Sequence, residues 1–264
     1  MNKRAFFIAF TLIILLIGCQ LSKQKPNMDN NMKADVATED TKDTKKEDEP
    51  KKEELEKEEK YIGQALNTIE KNGKVKVYSK KDTKSQVIHV LKDLDKVQLL
   101  ETLPYGWFKV KLENGNIGYV DARYIRTNKI PPHKFNKNRK GCTLVFTHKD
   151  QTLRIYKDGE IVRESLASSG LWDTFTPKGI FQIEDGRRGK WFYAKRFQQG
   201  GKYWVGFKGS YLFHSIPCDK NGNIIQEEAK KIGQPASHGC IRLPLDIARY
   251  IYENVPDGAL VLIY

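Results

Sequence analysis

The sequence predicts a mainly β protein, a small β-barrel followed by a larger, mostly β domain with a few short helices. Three observations predict it. Short runs of alternating apolar and polar residues recur from Lys74 to the C-terminus. Helical spacing is confined to Glu227–Ile232 and Leu245–Tyr252. Between Gln20 and Lys60 there is almost no aromatic or β-branched residue, so the folded mass lies after that stretch.

In chain order, Lys3 and Arg4 precede an apolar run from Ala5 to Ile17 that ends in Leu16-Ile17-Gly18-Cys19. A charged start, a short apolar core and a small residue before cysteine read as a lipoprotein signal over residues 1–18, with lipid added at Cys19. The alternative is an uncleaved anchor, for which the apolar run is short. Either exports the chain to the outer face of a bacterial cytoplasmic membrane and leaves nucleic acid out as a partner. Residues 19–60, with ten Lys against thirteen Asp/Glu, read as a charged tether. As a coil it would reach roughly 35 Å. The chain's net charge of +13 therefore sits in the folded part, where a basic surface suits anionic wall polymers as well as mere solubility.

Val75–Tyr78, Val87–Leu91, Lys96–Leu100, Trp107–Leu112 and Ile117–Val120 read as five strands, with Asn114-Gly115 as a hairpin turn. Five short strands in so few residues make a barrel over residues 61–128. Trp107 before a hairpin closed by Gly118-Tyr119-Val120 resembles a bacterial SH3-like domain, which implies a wall-binding module or a spacer. Residues 129–140, with Pro131-Pro132, read as a linker.

Strands resume at Cys142–Phe146, Thr152–Tyr156 and Ile161–Ser168, and aromatic-rich strands run through Trp191–Tyr193, Tyr203–Phe207 and Tyr211–Phe213 into His214. Leu245–Tyr252 is a helix with Asp246 at its positive end, and Ala259–Tyr264 returns as a strand. The chemistry concentrates in Ser237-His238-Gly239-Cys240. A cysteine on a tight turn can attack a carbonyl, given a base, a group to orient the base, and oxyanion donors. His214 is the candidate base, able to hold Cys240 as a thiolate ion pair, with Ser215 to fix the ring. Gly239, lacking a Cβ, lets its own N–H and that of Cys240 approach a developing oxyanion.

His214 followed by Ser237-His238-Gly239-Cys240-Ile241-Arg242, with Ser168-Ser169-Gly170 and Thr176-Pro177-Lys178-Gly179 upstream, resembles the L,D-transpeptidase family over residues 141–264. The resemblance implies a β-sandwich with a covering helix and a peptidoglycan cross-linking reaction through a cysteine thioester, with no metal or organic cofactor. It also implies stem peptides as substrates and acylation by carbapenems. Under it His238 shapes the turn by hydrogen bonding, and Arg242 either bonds loop carbonyls or meets a substrate carboxylate. Ser237, Tyr203 and Trp204 are further substrate-binding candidates, although strand aromatics such as Trp191, Tyr193 and Tyr211 are more often core. Twenty-two residues separate His214 from Ser237, more than the family pattern, and read as a surface insertion near the cleft.

Other readings stand beside this one. Water as acceptor would make an L,D-carboxypeptidase, and a degenerate second domain would leave a peptidoglycan-binding lipoprotein. His214, Cys218, His238 and Cys240 could make a closed zinc site, but their spacings match no common finger. Cys142 and Cys218 are either two buried thiols or a disulfide. His89, His133 and His148 have no chemical company in the sequence.

Overall fold

The computed structural model describes residues 60–264. The lipidation motif at Cys19 and all of the tether but Lys60 lie outside the described residues. Among those described, no helix is long and apolar enough to cross a membrane.

The first domain holds seven strands rather than five: β1 (Tyr61–Ala65), β2 (Lys74–Tyr78), β3 (Val87–Lys92), β4 (Lys96–Leu103), β5 (Trp107–Lys111), β6 (Ile117–Asp121) and β7 (Ile125–Thr127). They form one antiparallel sheet in the order β3-β2-β6-β5-β4-β1-β7. The two extra strands flank the others in sequence and pair with each other, Ala65 against Ile125. Alternation puts Val75, Val77, Val97, Leu99, Phe108, Val110 and Val120 inside.

The second domain is a pair of sheets. One runs β10-β9-β8-β16-β11, built from β8 (Cys142–Thr147), β9 (Thr152–Lys157), β10 (Glu160–Leu166), β11 (Gly179–Gln182) and the C-terminal β16 (Leu260–Ile263). The other runs β12-β13-β14-β15, from β12 (Arg188–Ala194), β13 (Gln199–Lys208), β14 (Tyr211–Ser215) and β15 (Ile241–Leu243). Leu144, Phe146 and Ile155 of the first sheet share a core with Val205, Phe207, Phe213 and Ile241 of the second. Helix α2 (Leu245–Asn254) buries Ile247, Ala248 and Ile251 in that core, as its spacing predicts. A shorter helix, α1 (Gln226–Ala229), lies within the long excursion after β14.

The two domains are joined by more than their linker. The Gly106 N–H donates to Ile180 O at 2.7 Å, and a Cβ at Gly106 would strike the Phe181 ring. Lys208 of β13 reaches into the first domain, its ammonium 2.7 Å from Tyr105 O and 3.3 Å from the Asp121 carboxylate, which also receives Arg123. Asp121 is 2% exposed, so removing it strands two half-buried cations. Asp121→Ala is expected to cost about 3 kcal/mol, read as a lower denaturant midpoint, whereas the exposed pair Lys230–Glu227 should contribute under about 1 kcal/mol.

Candidate active site

The parallel pairing of β14 with β15 assembles the site. Phe213 faces Ile241 and His214 faces Arg242, so the turn that delivers Cys240 ends beside the strand that carries His214. Both side chains line one cavity of about 200 Å³, together with Phe192, Phe197, Gln199, Leu212 and Ser237.

The His214 ring is fixed on both sides. Its Nδ1 lies 2.6 Å from Ser215 O; since a carbonyl only accepts, Nδ1 carries the proton and Nε2 keeps its lone pair. Phe192 meets the ring edge-on, with centroids 5.3 Å apart at 90°. Ser215 therefore orients the His214 ring through its carbonyl. Its hydroxyl instead donates to Ile216 O and accepts the Lys202 N–H at 2.9 Å.

Burial sets the protonation state. His214 is 5% exposed, and desolvation, helped by the neighbouring Arg242 charge, pulls its pKa down to about 4. Cys240 is half-buried, with its sulfur 3.5 Å from Ser210 O. Desolvation pushes its thiol up to about 11, against the lowering effects of the Leu212 N–H and Arg242. Burial disfavours charge on both groups, so it favours a neutral imidazole beside a thiol over the ion pair.

These shifts have a sign that can be checked. A histidine depressed from 6.5 to about 4 stays neutral in the fold while the unfolded chain takes up a proton, so stability is lost as pH falls from about 6.5 to 4 and not further below. His148, half-buried just after β8, is also pulled down to about 4 by desolvation. Together they should lower stability by several kcal/mol across that window. His148→Gln should flatten the pH dependence of the denaturant midpoint there.

The Ser237–Cys240 turn is tied from three directions. Ser168 and Arg242 exchange backbone bonds of 2.9 Å, and Ser169 O accepts the N–H groups of Ala236 and Ser237. The buried Thr176 hydroxyl accepts the Gly170 N–H at 2.9 Å and donates to Gly239 O at 2.6 Å, linking the upstream motif to the turn. Within the turn the Gly239 N–H donates to Ser237 Oγ at 3.0 Å, and that hydroxyl donates to Cys240 O. The Gly239 N–H is thus occupied, contrary to its expected role as an oxyanion donor. Gly239 is needed for its φ of +118° and for its contact with Tyr211, whose ring carbon would lie 2.7 Å from a Cβ there.

Several expected roles change. His238 is exposed and stacks on Phe197 at 4.0 Å, so it walls the cavity rather than hydrogen-bonding within the turn. Arg242, 4% exposed, bonds no loop carbonyl: it pairs with Glu228 of α1 and donates to Gln199 Oε1 at 3.0 Å, and it lines the same cavity as Cys240. Lys231 O accepts from Ser168 Oγ, and the Gly233 N–H donates to Ala167 O. The long excursion is therefore pinned to the site by its own acid and backbone, not a peripheral loop.

Tyr203 and Trp204 do not line the cysteine cavity. Tyr203 packs on Tyr252, and Trp204 donates to Trp191 O. The aromatic walls are Phe192 and Phe197, which sequence reasoning missed. Cys142 and Cys218 are free thiols, half-buried and buried, and Cys218 points to Ile216 O. Among the described residues no three His, Cys, Asp or Glu side chains converge, so the four residues of the zinc reading are not gathered into one metal site.

Comparison with known proteins places the two domains. Residues 143–263 match the model of the L,D-transpeptidase catalytic domain, and residues 73–126 that of the bacterial SH3 domain. "Putative L,D-transpeptidase YciB" of Bacillus subtilis is 42% identical over 120 residues, which are 44% of this chain and 61% of that protein, so the chain spans under two thirds of that relative's length. Among solved structures, an L,D-transpeptidase from Stackebrandtia nassauensis is 21% identical, covering 50% of this chain and 58% of its own, with a TM-score of 0.39. One from Mycobacterium smegmatis is 16% identical, covering 72% and 99%, with a TM-score of 0.41. Such distant likenesses transfer no residue role. The segment that holds His214 and Cys240 is thus similar to an L,D-transpeptidase catalytic domain, and the segment before it to a bacterial SH3 domain.

Proposed function

We propose that this protein is a peptidoglycan L,D-transpeptidase working through a Cys240 thioester, held by lipid on Cys19 at the outer face of the cytoplasmic membrane. The observation that carries the reading is the tautomer lock: a neutral imidazole with its free Nε2 shares one cavity with a thiol.

Nε2 takes the thiol proton as sulfur attacks the carbonyl of the third, L-centred residue of a tetrapeptide stem. The Cys240 N–H, unlike that of Gly239, takes no part in closing the turn and can stabilise the oxyanion. The C–N bond to D-alanine breaks as the imidazolium returns the proton to the leaving amine. An amine of a second stem then attacks the thioester, gives its proton to Nε2, and releases the Cys240 sulfur with the cross-link formed. A neutral pair suits this sequence, because charge arises only as the bond forms. The cavity, walled by Phe192 and Phe197, limits the water that would divert the thioester to hydrolysis.

Incubation with disaccharide-tetrapeptides, read by mass spectrometry, tests this. Cross-linked dimers with released D-alanine are expected; tripeptides without dimers would mean a carboxypeptidase, and no change with an intact fold would mean a wall-binding lipoprotein.

A further inference from the structure

We propose that Glu228, in the excursion after β14, is a positioning residue of the active site: it holds the Arg242 guanidinium against the cavity wall and cancels its charge beside Cys240 and His214. The proposal rests on the catalytic reading and adds to it a residue that acts through another.

Arg242 lines the cavity of about 200 Å³ that holds His214 and Cys240, yet it is buried. It follows Cys240 by two residues and faces His214 across the pairing of β15 with β14. A guanidinium in that place is costly unless a counter-charge accompanies it. Its Nη1 pairs with Glu228, its Nη2 donates to neutral Gln199, and its Nε is buried without a partner among the described residues. The counter-charge is therefore Glu228. That side chain is 12% exposed, and its second oxygen takes Lys231 Nζ at 2.6 Å. Burial works to raise the Glu228 carboxyl, but Lys231 and Arg242 outweigh it and hold the group below the usual carboxylate range, so it stays charged. The segment is anchored as well: Ser168 exchanges backbone bonds with Arg242, and its hydroxyl donates to Lys231 O. Arg242 is thus held by its backbone from one side and by its tip from the other.

The charge of Arg242 acts on both reacting groups, making His214 harder to protonate and Cys240 easier to ionise. Paired with Glu228, its field is small. Bare, it would favour the thiolate and weaken the base. The other titratable or charged groups nearby do not replace this control. Burial pushes Tyr211 up to about 12, so it stays neutral. His238, Arg196 and Asp173 are exposed, where water and salt screen them. Lys231 is exposed too and can turn to solvent when Glu228 is lost, whereas buried Arg242 is left beside the cavity.

The test uses the full-length protein carrying Glu228→Gln, which keeps the shape of the side chain and removes its charge. Alkylation of Cys240 by iodoacetamide, followed by mass spectrometry of its peptide, should run about tenfold faster at pH 8, because more of the thiol is ionised. On stem peptides kcat should fall about tenfold with KM within about twofold, since the imidazolium that a bare Arg242 opposes forms only during reaction. Loosening of the excursion would raise alkylation equally at every pH; the proposal expects the gain to shrink above about pH 10, as the variant's thiol nears full ionisation. In an Arg242→Gln background the same change should alter alkylation by under about twofold. Glu227→Gln, exposed on the same helix, should alter neither rate. A gain that is constant up to about pH 11, or one that persists undiminished in the Arg242→Gln background, would overturn the proposal. Alkylation needs no stem peptide, so a parent protein inactive on stem peptides would count against the catalytic reading, while the alkylation rates still decide the role of Glu228.

Discussion

Cys240→Ser is expected to lower D-alanine release by at least about a thousandfold, and Cys240→Ala to abolish it, with melting temperatures within a few degrees of the parent. The cause is the weakness of the base. An imidazole held near a pKa of about 4 by burial can accept a thiol proton only in concert with attack. A serine hydroxyl is far less acidic than even the raised thiol of Cys240, and it lacks the polarisable sulfur that makes a good nucleophile and leaving group. The same protonation states predict that D-alanine release in the first turnover, which needs neutral His214 and a protonated thiol, is level from about pH 5 to 9. It should fall only on an acid limb near pH 4. A thiolate–imidazolium pair would instead give a limb between pH 6 and 8.

The second large effect comes from a residue that carries no chemistry. Gly201 on β13 lies opposite Phe192 on β12, and a Cβ there would stand 2.6 Å from Nδ1 of His214, 3.0 Å from its Cγ and 2.8 Å from the Phe192 ring. Neither ring can retreat cheaply, because each packs edge-on against the other. Gly201→Ala should therefore break the Nδ1 bond to Ser215 O and misplace Nε2. A shift of about 1 Å at a catalytic group costs roughly a hundredfold. The expected signature is a fall in kcat of that size, little change in KM and a melting temperature lower by a few degrees. Pairing the change with Phe192→Leu, which makes room for the methyl, should recover part of the loss. Full activity in Gly201→Ala would mean that the ring's position does not govern the rate.

Much of this was legible before any coordinates. The Ser-His-Gly-Cys run and His214, singled out in the sequence, line one cavity, and the spacing from Leu245 to Tyr252 gave helix α2. What escaped has physical reasons. Backbone atoms have no letter in a sequence, so the orienting role of the Ser215 carbonyl and the occupied Gly239 N–H could not be read. Tyr203 and Trp204 were candidates for substrate binding as strand aromatics, but Tyr203 sits at φ +51° within β13. That left-handed residue breaks the period-two alternation on which side-chain direction depends. Gly200-Gly201 inside a strand was the missed signal, since paired glycines there mark a close approach, here of Phe192 and His214. Strand β7 is three residues long and β1 follows a charged run, so neither showed as a pattern. Glu228 was read as part of an inserted helix, while its partner Arg242 lies on a distant strand; only the fold brings them together.

The central claim is that Cys240 carries the acyl group. Its most direct test is mass spectrometry of the intact protein, quenched in acid during the first turnover with disaccharide-tetrapeptide and then digested. The account predicts a disaccharide-tripeptide adduct on the peptide containing Cys240, released by hydroxylamine and absent from Cys240→Ala. Release of D-alanine by Cys240→Ala at the parent's rate, with no adduct on the parent's Cys240, would contradict it.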